Sequence, residues 1–294
     1  MKRRLLFVAL LFALILATSV SFAQYRRRFW GDSRPPEGVR TAREAAGHST
    51  DTPNWNIDPS FRRDVFTFTR IRYTSEERGR RRGGAWWIDF PDADLNLSFR
   101  LSQMTSLQVN PDGRVIELTD PELFDYPWIY MAEPGALIFS DAEVSALRKY
   151  LLNGGFLMVD DFWGERQWAN FYREIKRVFP EREPEELDMS HPIFHCVFDI
   201  KLAKQQMQVP NFGTGEDSQH TGITWEDHHG PGGREAHFRA INDDKGRMMV
   251  FIAHNTDNGD GWEREGEFKY FFSEFSEKKA YPLGINIVFY AMTH

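Results

Sequence analysis

Polar side chains follow two apolar segments of this sequence that are typical of strands buried in a parallel sheet. The segments span residues 156–159 and 247–253. The residues that follow are Asp160, Asp161 and Trp163 after the first segment, and His254, Asn255 and Asp257 after the second. Ligands bind open α/β sheets where the carboxyl ends of the strands meet, so these side chains are expected to share a crevice. Carboxylates beside an imidazole could bind a divalent metal, or could transfer protons if burial raises one carboxyl pKa towards neutrality.

This placement defines the candidate site. The candidate catalytic residues are Asp160, Asp161, His254 and Asp257, and the candidate ligand-binding residues are Asp89, Asp92, Asp94, Glu133, Trp163 and Asn255. Neighbouring residues of an extended chain point to opposite sides, so Asp160 and Asp161 are not expected to act as a pair. One would face the crevice while the other accepts hydrogen bonds from loop amides. The alternative is that both anchor the turn between strand and helix.

Two other acidic segments have the composition of cation loops without the full pattern. The spacing of Asp89, Asp92 and Asp94 suggests such a loop, but the rest of a calcium-binding loop is missing. Capping of a helix by Asp92 or Asp94 is the favoured interpretation. The segment 255–263 is rich in oxygen-bearing side chains, but Gly259 breaks the EF-hand pattern, and a tight turn explains it equally well.

Histidine and tryptophan side chains offer further binding hypotheses. A zinc site could be assembled from a set of loop residues, although none of them has a recognised ligand spacing. These are His220, His228, His229 and His237, with Asp217 or Asp227. Several tryptophans beside polar turns could stack on sugar rings, with core packing as the alternative. They are Trp86, Trp87, Trp163, Trp225 and Trp262. No metal site is assigned from these patterns, and a divalent metal stays the only cofactor considered.

The elements that would position the candidate site are predicted from periodicity. Ser140 and Glu143 form a capping box, and a helix, a glycine turn and the apolar strand follow. Further strands are predicted at 65–73, 115–118, 127–131 and 247–253, and further helices start at Asp92 or Asp94 and span 165–179 and 283–292. The segment 210–239 has little apolar pattern and is predicted to be a long loop. Alternating strands and helices indicate an α/β fold with a mostly parallel sheet.

The amino-terminal segment has the features of a secretory signal. A basic start, an apolar stretch and a small-x-small site predict cleavage after Ala23 and a secreted or periplasmic protein that is not integral to the membrane. Residues 24–63 are predicted to be a flexible Arg/Pro-rich arm, and residues 64–294 a single domain. The net charge of −7 argues against nucleic-acid binding, because that function needs a clustered basic surface. The single Cys196 excludes an intramolecular disulfide.

Four separated motifs carry a family resemblance. They are WWIDFPDAD (86–94), LRKYLLNGGFLMVDDFWG (147–164), SHPIF (190–194) and HNTDNGDGWE (254–263). In this order they resemble the bacterial family called domain of unknown function 4159, from Val65 to the C-terminus. The resemblance implies a flavodoxin-like three-layer sandwich of the class I glutamine amidotransferase-like type, close to the trehalose-utilisation-like proteins.

The sequence departs from the amidotransferase pattern at the nucleophile. Amidotransferases place a cysteine after the central strand, where this chain has 159–164 without a thiol, and there is no nucleophile elbow. Cys196 is predicted to be a small buried hydrophobic residue. We therefore expect a non-enzymatic module of the cell envelope that binds a ligand or a partner, either an envelope protein or a glycan. The alternatives are a carboxylate- or metal-dependent hydrolase acting on envelope glycan or peptide, and a subunit that binds partners through the Arg-rich arm.

Overall fold

The computed structural model describes residues 34–47, 51–61, 64–75, 86–226 and 230–294. The predicted signal segment, the basic residues 26–28 and 78–82, and residues 227–229 lie outside these ranges. Residues 35–294 form one compact unit.

A seven-stranded sheet lies at the centre of this unit, in the order β4-β2-β5-β6-β9-β8-β7. The strands are β2 (Thr69–Ile71), β4 (Arg114–Ile116), β5 (Trp128–Ala132), β6 (Phe156–Asp160), β7 (Glu185–Glu186), β8 (His237–Asn242) and β9 (Met248–His254). Neighbours from β4 to β9 are parallel, whereas β8 pairs antiparallel with β9 and with β7. A separate parallel pair joins β1 (Val65–Phe66) to β3 (Gln108–Val109). The prediction of an α/β fold with a mostly parallel sheet is confirmed.

Seven α-helices are present among the described residues. They are α1 (Asp92–Met104), α2 (Asp141–Leu152), α3 (Gly164–Val178), α4 (Phe212–Thr221), α5 (Asn258–Glu263), α6 (Lys269–Phe271) and α7 (Tyr281–Thr293), with a π-helical segment, Phe272–Ala280, joining the last two. Short 3₁₀ turns occur at Ala42–Glu44, Pro59–Phe61, Pro121–Asp125, Pro134–Ala136, Pro192–Phe194 and Lys204–Met207. The predicted capping box is present, since Ser140 Oγ accepts from Glu143 N and the Glu143 carboxylate accepts from Ser140 N. Among the described residues, no helix combines the length and apolarity needed to cross a bilayer.

The central strands are buried on both faces, and their side chains alternate between two cores. Trp128 and Tyr130 of β5 pack in the core beneath α1 and α7, whereas Ile129 and Met131 pack in the core beneath α2 and α3. This alternation explains why the strands read as continuous apolar runs. The arrangement is consistent with a three-layer α/β fold.

Three local predictions differ from the structure. The segment 210–239 is not one long loop, because it contains α4 and the first residues of β8. β8, which lies between β9 and the two-residue edge strand β7, is only partly buried, and this weakens its sequence pattern. The predicted strand 65–73 is divided into β1 and β2, which pair with different partners. Neither Asp92 nor Asp94 caps α1, since Pro91 precedes the helix and both carboxylates lie inside its first turn.

Part of the segment predicted as a flexible arm packs on the domain. Ala42 is fully buried and its N–H donates to Asp112 O at 2.8 Å. The Trp55 indole N–H donates to Val109 O at 2.7 Å. These contacts extend the packed part of the chain beyond the predicted start of the domain at residue 64.

Candidate metal centre

The turns at the carboxyl edge of the sheet contain strained backbone. Asp89, Glu133, Asp161 and Asn255 have φ values of 61°, 45°, 57° and 61°, and they are the only non-glycine residues with positive φ among the residues described. This conformation costs on the order of 1 kcal/mol or more for a residue with a side chain, and it concentrates at functional sites. All four residues were among the candidates predicted from the sequence.

Five buried carboxyl groups lie together at this edge, and we call them the acidic site. They are Asp89, Asp161, Asp257, Asp260 and Glu263. Ligand oxygens of Asp89, Asp161 and Asp257 lie within 4.8 Å of one another, and so do those of Asp89, Asp260 and Glu263. Asp89 therefore belongs to both groups. The structure brings Asp161 and Asp257 together, as the sequence predicts, and joins Asp89 to them.

Local structure holds these carboxyl groups in place. Asp161 directly follows β6, and its Oδ1 accepts a hydrogen bond from Trp163 Nε1 at 3.1 Å. Asp257 is the N-cap residue of α5, where its Oδ1 accepts from Asp260 N at 2.7 Å. Asp260 Oδ2 in turn accepts from the backbone N–H of Phe212, at the start of α4. The turn after β6 and the N-terminal ends of α4 and α5 thus hold carboxyl groups of the acidic site in place.

Burial and mutual repulsion raise the carboxyl pKa values in the acidic site. Burial is the main cause for Asp89, whose pKa is raised further by the charges of Glu263 and Asp260. Burial also leads for Asp161, with Glu133 as the next cause, and for Asp257, where the charge of Asp161 adds to it. The pKa of Asp260 is raised by burial and by Glu263. Burial and neighbouring like charges thus both disfavour the ionised form of these carboxyl groups.

Two arginines lie near the acidic site: Arg70 pairs with a carboxylate outside the site, and Arg264 pairs with a carboxylate that belongs to it. Arg70 is fully buried, and its guanidinium contacts both carboxylate oxygens of Asp94. It also donates to the carbonyls of Trp86 and Ile88, each at 2.9 Å. Arg264 Nε lies 2.7 Å from Glu263 Oε2 and 3.9 Å from Asp260 Oδ1. Asp94, predicted to bind a ligand, is therefore the ion-pair partner of Arg70.

Asp89 offers an oxygen that no protein donor satisfies. Its Oδ2 has no hydrogen-bond partner among the described residues, and the residue is only 8% exposed. The same oxygen lies against Gly259, where a Cβ atom would collide with it. Buried polar atoms are normally paired, so this oxygen lacks a partner that the site could bind. A site of carboxylate oxygens suits hard cations such as Mg²⁺, Ca²⁺ or Mn²⁺.

Asp160 has a different role from its neighbour. Its Oδ1 accepts from Asn258 Nδ2 at 2.8 Å, and its Oδ2 accepts from Gly259 N at 3.0 Å and from the Tyr130 hydroxyl at 3.2 Å. Burial raises its pKa to about 7, although these donors oppose the shift. Asp160 thus fixes the turn that leads into α5. Of the two adjacent aspartates, Asp160 is the one that accepts from amide groups, and both of those amides belong to the first turn of α5.

His254 lies apart from the acidic site. Alternation along β9 places it with Val250 and Ile252 on the side of α2 and α3, where its ring is 4.8 Å from Phe162 and 5.2 Å from Trp168. Its Nε2 lies 3.2 Å from Gly164 O, and its Nδ1 lies 3.3 Å from Arg239 Nη1. Burial lowers its pKa to about 3. The structure does not bring this imidazole together with the carboxylates.

The other predicted ligand-binding residues, Asn255, Glu133 and Asp92, do not belong to the acidic site. Asn255 Oδ1 accepts from Gly164 N at 2.8 Å, and its Nδ2 donates to Gly232 O and Glu235 O at 2.7 Å, so it joins loops. Glu133 acts on Asp161 through its charge. Asp92 is buried in the first turn of α1 and belongs to neither carboxyl group of the acidic site.

The histidine and tryptophan hypotheses find little support. Within the described ranges, His220, His237 and Asp217 belong to no group of metal-ligand atoms, and His228, His229 and Asp227 lie outside those ranges. Four of the five tryptophans are buried and cannot offer a face to a sugar; they are Trp86, Trp87, Trp163 and Trp262. Trp225 is half-buried, and the guanidinium of Arg234 lies 5.1 Å from its ring centre.

Three residues of this region were not among the sequence candidates. Asp260 and Glu263 complete the acidic site, and Glu226 raises the pKa values of Asp161 and Asp257 by charge. A signal for the first two exists, since Asp257, Asp260 and Glu263 follow at intervals of three, which places them along one side of a helix. No comparable signal marks Glu226.

The fold and the site define an α/β protein with a buried acidic centre at the carboxyl edge of its sheet. Its sequence matches the family described as domain of unknown function (DUF4159) over residues 67–292. The match covers most of the chain, and the protein belongs to this family. No curated protein matches it significantly.

Proposed function

We propose that this protein is a ligand-binding α/β module whose ligand at the carboxyl edge is a divalent cation. The cation would be bound by Asp89, Asp161 and Asp257, whose ligand oxygens lie within 4.8 Å of one another. The observation that carries the proposal is Oδ2 of Asp89, a buried oxygen with no donor among the described residues. A cation would give this oxygen a partner and would offset the repulsion that raises the three carboxyl pKa values.

Direct binding measurements test this function. The purified protein is treated with a chelator, dialysed, and titrated with Mn²⁺, Mg²⁺ and Ca²⁺ by calorimetry. We expect Asp89→Asn to weaken binding at least about tenfold, because it removes a charged ligand at the centre of the site. Asp244→Asn is the matched control, since this carboxylate is 92% exposed and pairs with Arg182. Wild-type protein that binds none of the three ions, or Asp89→Asn that binds like wild type, would overturn the proposal.

A flavodoxin-like scaffold of the amidotransferase-like type, without its nucleophile, fits this role. Cys196 is half-buried beside the C-terminal helix, and its Sγ donates to Asn286 O at 3.1 Å. Burial raises the pKa of its thiol, which opposes formation of a reactive thiolate. We therefore favour binding over covalent catalysis. Incubation with glutamine and ammonia detection would expose residual amidotransfer, and activity lost in Cys196→Ala would contradict this assignment.

We further propose that the module works in the cell envelope, on the basis of the signal-like residues 1–23. The mature protein would begin at Gln24 and contact an envelope protein or a glycan. Fractionation of producing cells and mass analysis of the purified protein test this point. A chain that retains residues 1–23 in the cytoplasmic fraction would contradict it. Deletion of residues 24–33, followed by cross-linking in cells, would show whether the Arg-rich arm recruits a partner.

A second candidate function is metal-dependent hydrolysis of an envelope glycan or peptide. The observation that favours it is the left-handed backbone of Asp89 and Asp161 within one cation site, because such strain often accompanies catalysis. His254 is poorly suited to serve as its base, since both ring nitrogens have partners and its pKa is about 3. Release of products from peptidoglycan fragments that requires Mn²⁺ and is lost in Asp161→Asn would support this function over simple binding.

A further inference from the structure

We propose that the acidic site binds two divalent cations, with Asp89 bridging them. This inference rests on the proposed function, because it adds a second ion beside the first. The first cation would use Asp161 and Asp257, and the second would use Asp260 and Glu263. Paired sites of this kind occur where one carboxylate serves two metals a few ångströms apart.

The position of Asp89 between two pairs of carboxyl groups supports its role as the bridge. Ligand oxygens of Asp161 and Asp257 lie within 4.8 Å of a ligand oxygen of Asp89, and those of Asp260 and Glu263 meet the same condition. A carboxylate has two oxygens, and each can bind a different ion. Oδ2 of Asp89 is buried and has no hydrogen-bond partner in the described part of the chain, so it is available as a ligand.

The backbone beside Asp89 keeps its carboxylate at this central position. Gly259 lies directly against Oδ2 of Asp89, and its N–H is fixed by Asp160 Oδ2 at 3.0 Å. Asp257 and Asp260 lie on either side of this glycine in the same turn. The turn thus presents one ligand to each proposed ion, with Asp89 between them.

The charge of the acidic site supports two cations rather than one. Within the described ranges, the five buried carboxyl groups face one guanidinium in direct contact, that of Arg264, because Arg70 is bound to Asp94. Arg264 is also shared with Glu267, 3.4 Å away. When all five carboxyl groups are ionised, as metal ligands are, about four negative charges exceed the contacting positive charge, and the cost of burying such charges is high. One divalent cation would offset half of them, whereas two would offset all four.

Manganese is a suitable probe because it accepts oxygen ligands and is paramagnetic. The purified protein is stripped of metal and titrated with Mn²⁺ by calorimetry and by electron paramagnetic resonance. We expect two equivalents to bind and the spectrum of the loaded protein to show two magnetically coupled ions. Glu263→Gln should retain one equivalent with the spectrum of an isolated ion. Asp244→Asn, the exposed control, should retain two coupled ions.

The outcomes separate this inference from the proposed function. A single equivalent in the wild type, unchanged by Glu263→Gln, would overturn the second cation and leave the first in place. No binding at all would overturn both. Two equivalents without magnetic coupling would show that the ions are not bridged and would also overturn the inference. If Glu263→Gln does not fold, as judged by circular dichroism, the wild-type stoichiometry and spectrum still decide.

Discussion

The acidic site and the cluster around His254 occupy the same edge of the sheet, yet they balance charge in opposite ways. The second cluster, here called the imidazole cluster, contains Glu186, His237, Arg239 and His254. Glu186 lies 3.0 Å from Arg239 Nε and 3.2 Å from His237 Nδ1, and Arg239 packs 4.1 Å from the Trp168 ring centre. Each charged group therefore has an opposite or aromatic partner.

In the part of the chain that the structure describes, the acidic site has no such balance, because its five carboxyl groups outnumber the neighbouring cations. The difference follows from the strands that provide the residues. The imidazole cluster draws on the antiparallel strands β7, β8 and β9, where opposite charges can pair across strands. The acidic site lies at the carboxyl ends of parallel strands and in the turns that follow them, where side chains from several strands come close together. The charges of the imidazole cluster are thus balanced by protein groups, whereas the acidic site is where we propose an added cation.

The largest expected effect is the dependence of stability on metal. At a cation concentration about 100 times Kd, each bound ion should add about 2.7 kcal/mol to the free energy of unfolding, so two would add about 5 kcal/mol. For a domain of this size, that corresponds to a rise in Tm of roughly 10 °C, measured by thermal unfolding with Mn²⁺ and with a chelator. His254→Gln should keep the full shift and Asp161→Asn should lose most of it. Equal shifts in both variants would remove the contrast between the two clusters.

The next effect concerns the buried ion pair beneath the acidic site. Arg70→Met should lower the free energy of unfolding by about 4 kcal/mol, because it leaves Asp94 charged and buried without a partner. The double variant Arg70→Met/Asp94→Leu should recover most of this loss. Arg239→Met in the imidazole cluster should cost only about 1 kcal/mol, since its partner Glu186 is 39% exposed and would be solvated by water after the change. Urea unfolding measures all three; a similar loss for Arg70→Met and Arg239→Met would contradict the prediction.

Acid sensitivity should originate in the imidazole cluster. The pKa of His254 is lowered to about 3 by burial and by Arg239, so between pH 6.5 and that value the unfolded chain binds more protons. The contribution of His254 to stability should therefore fall as the pH decreases, by about 2–3 kcal/mol between pH 6.5 and 4.5, whereas the raised carboxyl pKa values act in the opposite direction in both proteins compared. The lowered pKa of Glu186, about 2, acts only below its ordinary value of 4.5. His254→Gln should be less stable at neutral pH and lose this part of the pH dependence.

That comparison is made by urea unfolding at a series of pH values, with chelator present in every sample. The remaining facing groups, His237 and Arg239, are the same in both proteins, so their contribution cancels in the difference. A wild type and a His254→Gln variant with parallel curves between pH 6.5 and 4.5 would show that the imidazole cluster is not the acid-sensitive region.

The smallest effect separates Asp160 from the acidic site. Tyr130→Phe removes one of three donors to Asp160 and should lower the free energy of unfolding by about 1 kcal/mol. Cation affinity should change less than about threefold, because Asn258 and Gly259 still hold Asp160. By contrast, Trp163→Phe removes the donor to Asp161 and should weaken Mn²⁺ binding by about 10-fold or more. If Tyr130→Phe weakened binding as much as Trp163→Phe, Asp160 would belong to the binding site.

Local signals in the sequence predicted the segment around residues 140–164 well. The capping box of Ser140 and Glu143, the glycine turn and the buried strand all depend on near neighbours, and each is present. The different roles of Asp160 and Asp161 followed from the alternation of an extended chain. The same alternation, applied along β9 from Val250, would have placed His254 on the other side of the sheet.

The composition of the acidic site could not be predicted in the same way. Asp89 and Asp161 are 72 residues apart in the sequence and meet only because the order of strands brings their turns together. The assignment of Asp94 to Arg70 depends on a buried contact between β2 and α1, which no spacing rule reveals. Likewise, α4 was hidden in a polar segment because its only buried residues are Gly215 and Ser218, and only the first three residues of β8 fall within that segment.

The close contact between Gly259 and Asp89 has a consequence for the evolution and engineering of this protein. A single methyl group at position 259 would move the central carboxylate without changing the charge of any residue. Gly259→Ala and Asp89→Asn therefore separate shape from charge, and both should abolish the same binding event by different routes. Relatives that carry a larger residue at this position should have lost the acidic ligands as well, since these ligands would no longer have a common centre.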